Sequence, residues 1–123
     1  MSKSLNSVQL LGRLGKDPDM KTTDSGMQIT TCSIATSRNV KNKATGKYDT
    51  ELTDWHRVVF FDKLAGIVAQ YLKKGSLTHI TGRIQTRSWN ENGVTKYITE
   101  IVANNMIMLD GCLLYTSPSP RDS

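Results

Sequence analysis

Two stretches of this chain interleave an aromatic ring with arginine at a spacing of two residues. In TDWHRVVFFDKLA, from Thr53 to Ala65, Trp55 and Arg57 alternate with Val59 and Phe61; further on, Arg83, Gln85, Arg87 and Trp89 repeat the pattern. Residues at i, i+2 and i+4 share one face of an extended strand. The opposite faces then carry Asp54, His56, Val58 and Phe60 in the first stretch, and Ile80, Gly82, Ile84, Thr86 and Ser88 in the second. A sheet closed over a core keeps apolar residues inside, so the arginine faces belong outside, with both tryptophans and Phe61, while Phe60 points in. Exposed rings beside guanidinium groups have a definite chemistry: the rings stack on the π-faces of unpaired bases, and the cations meet phosphates and release counterions.

The remaining charge supports that chemistry. Lys and Arg number 16 against 11 Asp and Glu, a formal +5, which attracts a polyanion without reading its sequence. Candidate phosphate contacts beyond Arg57, Arg83 and Arg87 are Arg38, Lys41 and Lys43 in a basic stretch, and Lys63, Lys73 and Lys74 around a helix. No catalytic constellation competes. His56 and His79 have no Cys or Ser partner at motif spacing, the carboxylates are scattered, and no Gly-rich phosphate loop follows a strand and opens a helix. No metal site and no cofactor is expected, and the chain is expected not to be an enzyme. The two cysteines, Cys32 and Cys112, lie far apart and suggest no disulfide framework; Cys32 is expected to pack as a small hydrophobe. No run approaches the roughly 18 apolar residues of a spanning helix, so a cytoplasmic protein is expected.

The elements that must position these residues are strands and one helix. At 123 residues the chain has room for one domain. A strand is expected from Leu5 to Leu14, closed by Gly15-Lys16-Asp17-Pro18, then a short piece from Met20 to Thr23 and a strand from Met27 to Ser37. Arg38 to Thr50 reads as a long basic loop, and Glu51 to Phe61 as the next strand. From Asp62 to Leu72 the period changes to 3.6, with Leu64, Ile67, Val68, Tyr71 and Leu72 on an apolar side, Asp62 as N-cap, and Gly75 available as a left-handed cap. Leu77 to Trp89 alternates again, with Gly82 marking a bulge or bend; Asn92-Gly93 signals a hairpin, and Val94 to Met108 is the last strand. Antiparallel strands with a single helix after the third main strand suggest a small closed or partly closed barrel.

From Gly111 onward, GCLLYTSPSPRDS has no period that extends a barrel. It reads as the translation of a sequencing-library adapter appended where the reading frame ran off a fragment. Residues 1–110 are therefore expected to form the domain, and 111–123 a disordered, non-native tail.

Five collinear blocks carry a family resemblance: NSVQLLGRLGKDP, KATG, TDWHRVVFFDKLA, YLKKGS and TRSW, with IATS between the first two. Together they resemble the bacterial-type single-stranded DNA-binding proteins over about residues 3 to 110. The resemblance implies an OB-fold, a five-stranded Greek-key barrel with a helix between strands 3 and 4, assembled as a homotetramer and wrapped by single-stranded DNA. It implies stacking roles for Trp55, Phe61 and Trp89, places His56 at a subunit contact, and points to roles in replication, recombination and repair. Two departures stand out. Val40 occupies a position where many members carry a further stacking tryptophan, leaving Arg38, Lys41 and Lys43, or nearby Tyr48, to serve that region. The acidic, Phe-terminated tip through which members recruit replication and repair proteins has no counterpart in these residues. The rival expectations are an OB module of primosomal or RNA-binding type, separated by its nucleic-acid preference, and a protein-interaction barrel, whose tryptophans would ignore added oligonucleotide.

Overall fold

The computed structural model describes residues 3–109. Along the chain run β1 (Val8–Leu14), β2 (Asp19–Thr22), β3 (Gln28–Val40), β4 (Thr50–Phe61), α1 (Asp62–Tyr71), β5 (Leu77–Glu91) and β6 (Val94–Met108). The order β1-β5-β6-β4-β3 closes through a β1–β3 pairing, with β2 added as a short hairpin partner of β3. This is the expected closed five-stranded barrel with one helix. All pairings are antiparallel except β4 beside β6, where Val58 faces Ile101 and Val59 faces Val102.

Alternation in each strand fills the interior. Leu14, Cys32, Ile34, Val58, Phe60, Ile80, Ile101 and Ala103 form the core, with Ala65 and Val68 of α1, and Leu72 just past it, closing one end. Cys32 packs there as a small hydrophobe, and burial pushes its thiol up to about 12. The buried Thr30 hydroxyl donates to the Ala65 carbonyl at 2.8 Å, which seats the helix on β3.

Several local expectations change. The first strand begins at Val8, not Leu5; ahead of it the Asn6 amide exchanges hydrogen bonds of 2.7 and 2.8 Å with the Ile84 backbone, extending the ladder by a side chain. The basic loop is shorter than expected, because β3 continues to Val40 and puts Arg38 opposite Leu52. Asp62 is not the N-cap. Strand β4 runs straight into α1, Phe61 occupies the cap without a side-chain hydrogen bond, and Asp62 takes up the change of direction with a φ of 57°. The helix buries the face of Ala65, Val68 and Leu72, so Tyr71, expected in the core, stands 55% exposed, and Ile67 is exposed too. Gly75 does not cap α1, which ends at an extended Leu72; its positive φ belongs to the Lys73–Ser76 turn, which donates from the Gly75 N–H to Leu14 at 2.8 Å.

The expected irregularity at Gly82 is a register shift between Thr81 and Gly82, where a Cβ would collide with the Val102 carbonyl. Past it the β5–β6 hairpin runs outward to the Asn92-Gly93 turn, both residues with φ above zero. Ile84, Thr86 and Ser88, assigned inward by parity, are therefore exposed, since no core lies beneath that part of the hairpin. Residues 111–123, including Cys112, lie outside the described residues.

Phe60 has no exposed surface. Phe60→Ala is expected to cost about 3–5 kcal/mol of stability, measured by denaturant unfolding.

Candidate nucleic-acid interface

The β3–β4 register sends Trp55, Arg57, Val59 and Phe61 to the outside, beside Ala35, Ser33, Thr31 and Ile29. On the hairpin, Arg83, Gln85, Arg87 and Trp89 pair with Val102, Glu100, Ile98 and Lys96. The parallel contact of β4 with β6 joins the two sets into one surface. Its centre is a groove of about 270 Å³ bordered by Ile29, Arg57, Phe61, Gln85, Arg87 and Glu100, floored by buried Val59. Trp55, two residues before Arg57 on β4, and Trp89, two residues after Arg87 on β5, are 61% and 39% exposed, as parity required of rings able to stack; Phe61, which borders the groove, is half-buried.

Trp55 is seated by a residue that parity did not single out. Its six-membered ring lies against Gly15, at the end of β1, so closely that a Cβ at Gly15 would overlap it. The only signal in the sequence was the glycine of the turn after β1. The Lys73–Ser76 turn docks beside the same place: the Arg13 guanidinium donates to the Gly75 carbonyl at 2.9 Å, and the Lys74 N–H donates to Asp17 at 2.9 Å. Lys73 and Lys74 are thereby fixed next to the strand end that carries Gly15, and both are exposed.

The charges of the surface differ in kind. Arg57 and Arg87 both pair with Glu100, at 3.0 and 2.8 Å, and the Arg87 guanidinium lies 5.6 Å from the centre of the Trp89 ring. Glu100 was missed in the sequence, where a lone acid in an alternating strand carries no signal of its partners. Arg83 donates to the neutral Gln85 at 3.2 Å. Arg38, farther along β3, forms an exposed 3.3 Å pair with Asp54. Lys41 and Lys43 lie exposed in the loop after β3, with Tyr48 exposed nearby, and Lys63 stands exposed beside Phe61 on the first turn of α1. His56 faces the other side of β4, half-buried, and shares a 2.8 Å hydrogen bond with Thr36. Among the described residues no group of three or more His, Cys, Asp and Glu side chains comes together as a metal site, and no helix is long and apolar enough to cross a membrane.

Gly15→Val is expected to displace the Trp55 ring. In a Trp89→Phe background this appears as a changed near-UV dichroism of Trp55 with the far-UV spectrum retained.

The fold has counterparts among known proteins. A family model described as the single-strand binding protein family matches residues 5–109. Single-stranded DNA-binding protein 1 of Chlorobaculum tepidum is 48% identical over 111 residues, 89% of this chain and 67% of that protein. Among solved structures, a Plasmodium falciparum SSB in complex with ssDNA superposes with a TM-score of 0.78 at 36% identity, covering 89% of this chain and 99% of that one. A deletion mutant of the single-stranded DNA binding protein from Thermus aquaticus superposes at 0.77 and 29% identity, over 91% of this chain and 54% of that one. With its barrel, its helix and nearly all of its described length matched, this chain belongs to the single-strand binding protein family.

Proposed function

We propose that this chain binds single-stranded DNA with little sequence preference and shields unpaired strands in replication, recombination and repair. Bases stack on Trp55, Phe61 and Trp89, and phosphates meet Arg57, Arg83 and Arg87, with Arg38, Lys41, Lys43, Lys63, Lys73 and Lys74 extending the basic path. The observation that carries the reading is the outer surface on which two exposed tryptophans share strand faces with the arginines that line a groove. Stacking uses the π-face that every base has, which makes the binding tolerant of sequence. The relatives named as single-stranded DNA-binding proteins, one of them solved with ssDNA, support the same reading. The chain acts as a binding protein and not as an enzyme, in the cytoplasm on DNA.

We further propose self-association as a homotetramer, with His56 at a subunit contact. Leu11, His79 and Ile107 form a cross-strand row on the outside of β1, β5 and β6, and both aliphatic members are exposed. Such a row supports burial against another copy. Sedimentation at micromolar concentration is expected to give four chains per particle; a monomer would reject the assembly.

The nucleic-acid reading is tested by affinity at one salt concentration for oligothymidine, single-stranded RNA and duplex DNA. Oligothymidine is expected to bind tightest, and a preference for RNA would move the chain to an RNA-binding role. Trp55→Ala and Trp89→Ala are each expected to weaken binding by about 1 to 3 kcal/mol with the fold retained, a range carried over from single-strand binding OB-folds, this family among them. Arg83→Gln is expected to flatten the dependence of log affinity on log salt by about 0.7, one phosphate contact on a single strand.

A further inference from the structure

Glu100 is the single charged residue among the buried ones in the described part of the chain, 4% exposed, yet it faces the outside of the barrel. It is covered there by the two arginines. Its neighbour Ile101 points into the core, and the parallel register of Val58 with Ile101 brings Arg57 of β4 alongside Glu100. Across the other edge of β6, Gln85 faces Glu100, and Arg87 reaches it diagonally from the same face of β5. The carboxylate thus sits on the seam between the two strands that carry the rings.

The geometry of the two ion pairs is specific. Arg57 donates its Nε–H to Oε2 at 3.0 Å, and Arg87 donates its Nε–H to Oε1 at 2.8 Å. Each carboxylate oxygen is taken by one arginine, and each guanidinium is held by its inner edge. The terminal Nη groups, the fork that matches two phosphate oxygens, donate to no protein atom among the described residues, and both side chains remain partly exposed. Arg87 in turn lies over Trp89, so the same anchor reaches a stacking ring.

We propose that Glu100 is a positioning residue of the interface: it clamps Arg57 and Arg87 through their Nε atoms so that both forks are held ready for phosphates, at the expense of one unit of positive charge. The proposal rests on the single-stranded DNA reading. Charge counting alone predicts the opposite, since an acid in the middle of a polyanion site weakens attraction. Preorganisation outweighs that penalty because a long side chain otherwise loses its freedom only when the ligand arrives.

Anisotropy of a labelled oligothymidine decides between them, measured on the full chain as wild type, as Glu100→Gln, and as the double variant Arg57→Lys with Arg87→Lys. Melting curves check each fold. Glu100→Gln removes one acceptor oxygen and adds one net positive charge; the clamp predicts binding weaker by at least about fivefold. Affinity equal to or above wild type overturns the proposal. So does a lowered melting temperature with wild-type affinity below it, which is a role in stability alone. The lysine pair keeps every charge and an ion pair to Glu100 but has no fork. It is expected to lose affinity by a similar factor, and full affinity overturns the proposal even if Glu100→Gln fails to fold. Wild type that ignores oligothymidine rejects the single-stranded DNA reading and the clamp with it, whereas wild-type binding matched by both variants rejects the clamp only.

Discussion

Strand β4 is held along both edges, by antiparallel pairing with β3 from Ile29 opposite Phe61 to Val40 opposite Thr50, and by the parallel contact with β6. Its side chains consequently have no freedom of parity. Val58 and Phe60 are buried without exposed surface, and a slip by one residue would exchange them for Arg57 and Val59 or Val59 and Phe61. Burying a guanidinium in that core is prohibitive, so the energetics of the interior fix what the exterior presents. Trp55, Arg57 and Phe61 are outside because Val58 and Phe60 are inside.

The remaining elements turn that one strand into a surface. The register shift at Gly82 lets β5 approach β6 closely and sends the hairpin beyond the barrel, carrying Arg87 and Trp89 to the same side as β4. Gly15 leaves room for the Trp55 ring. Between them, Glu100 joins the two arginine-bearing strands through hydrogen bonds from both. Exposed rings, guanidiniums across the seam and lysines on the adjoining turns suit a flexible polyanion with exposed bases better than a rigid duplex, whose bases offer no free π-face.

Much of this was legible in the order of residues. Alternation located the long strands and the outward faces of Trp55, Arg57, Arg87 and Trp89, Asn92-Gly93 marked the hairpin, and Gly82 marked the irregularity. These are local signals, each contained within a few neighbours. What escaped depends on contacts between distant elements. Tyr71 fits the helical period but is exposed, because the seat on β3 chose the face of Ala65 and Val68. Asp62 has the composition of a cap but serves as the pivot where a strand meets a helix without a loop. Ile84 has inward parity with no interior to enter, and Glu100 acquires its two partners only when β4, β5 and β6 assemble.

The central claim is that bases of an unpaired strand lie directly on the indole rings of Trp55 and Trp89. Intrinsic tryptophan fluorescence during an oligothymidine titration tests it most directly. Stacking predicts strong, saturable quenching that reverses when salt releases the strand, with a smaller amplitude after either Trp55→Phe or Trp89→Phe. Binding seen by anisotropy with unchanged tryptophan emission would contradict the account.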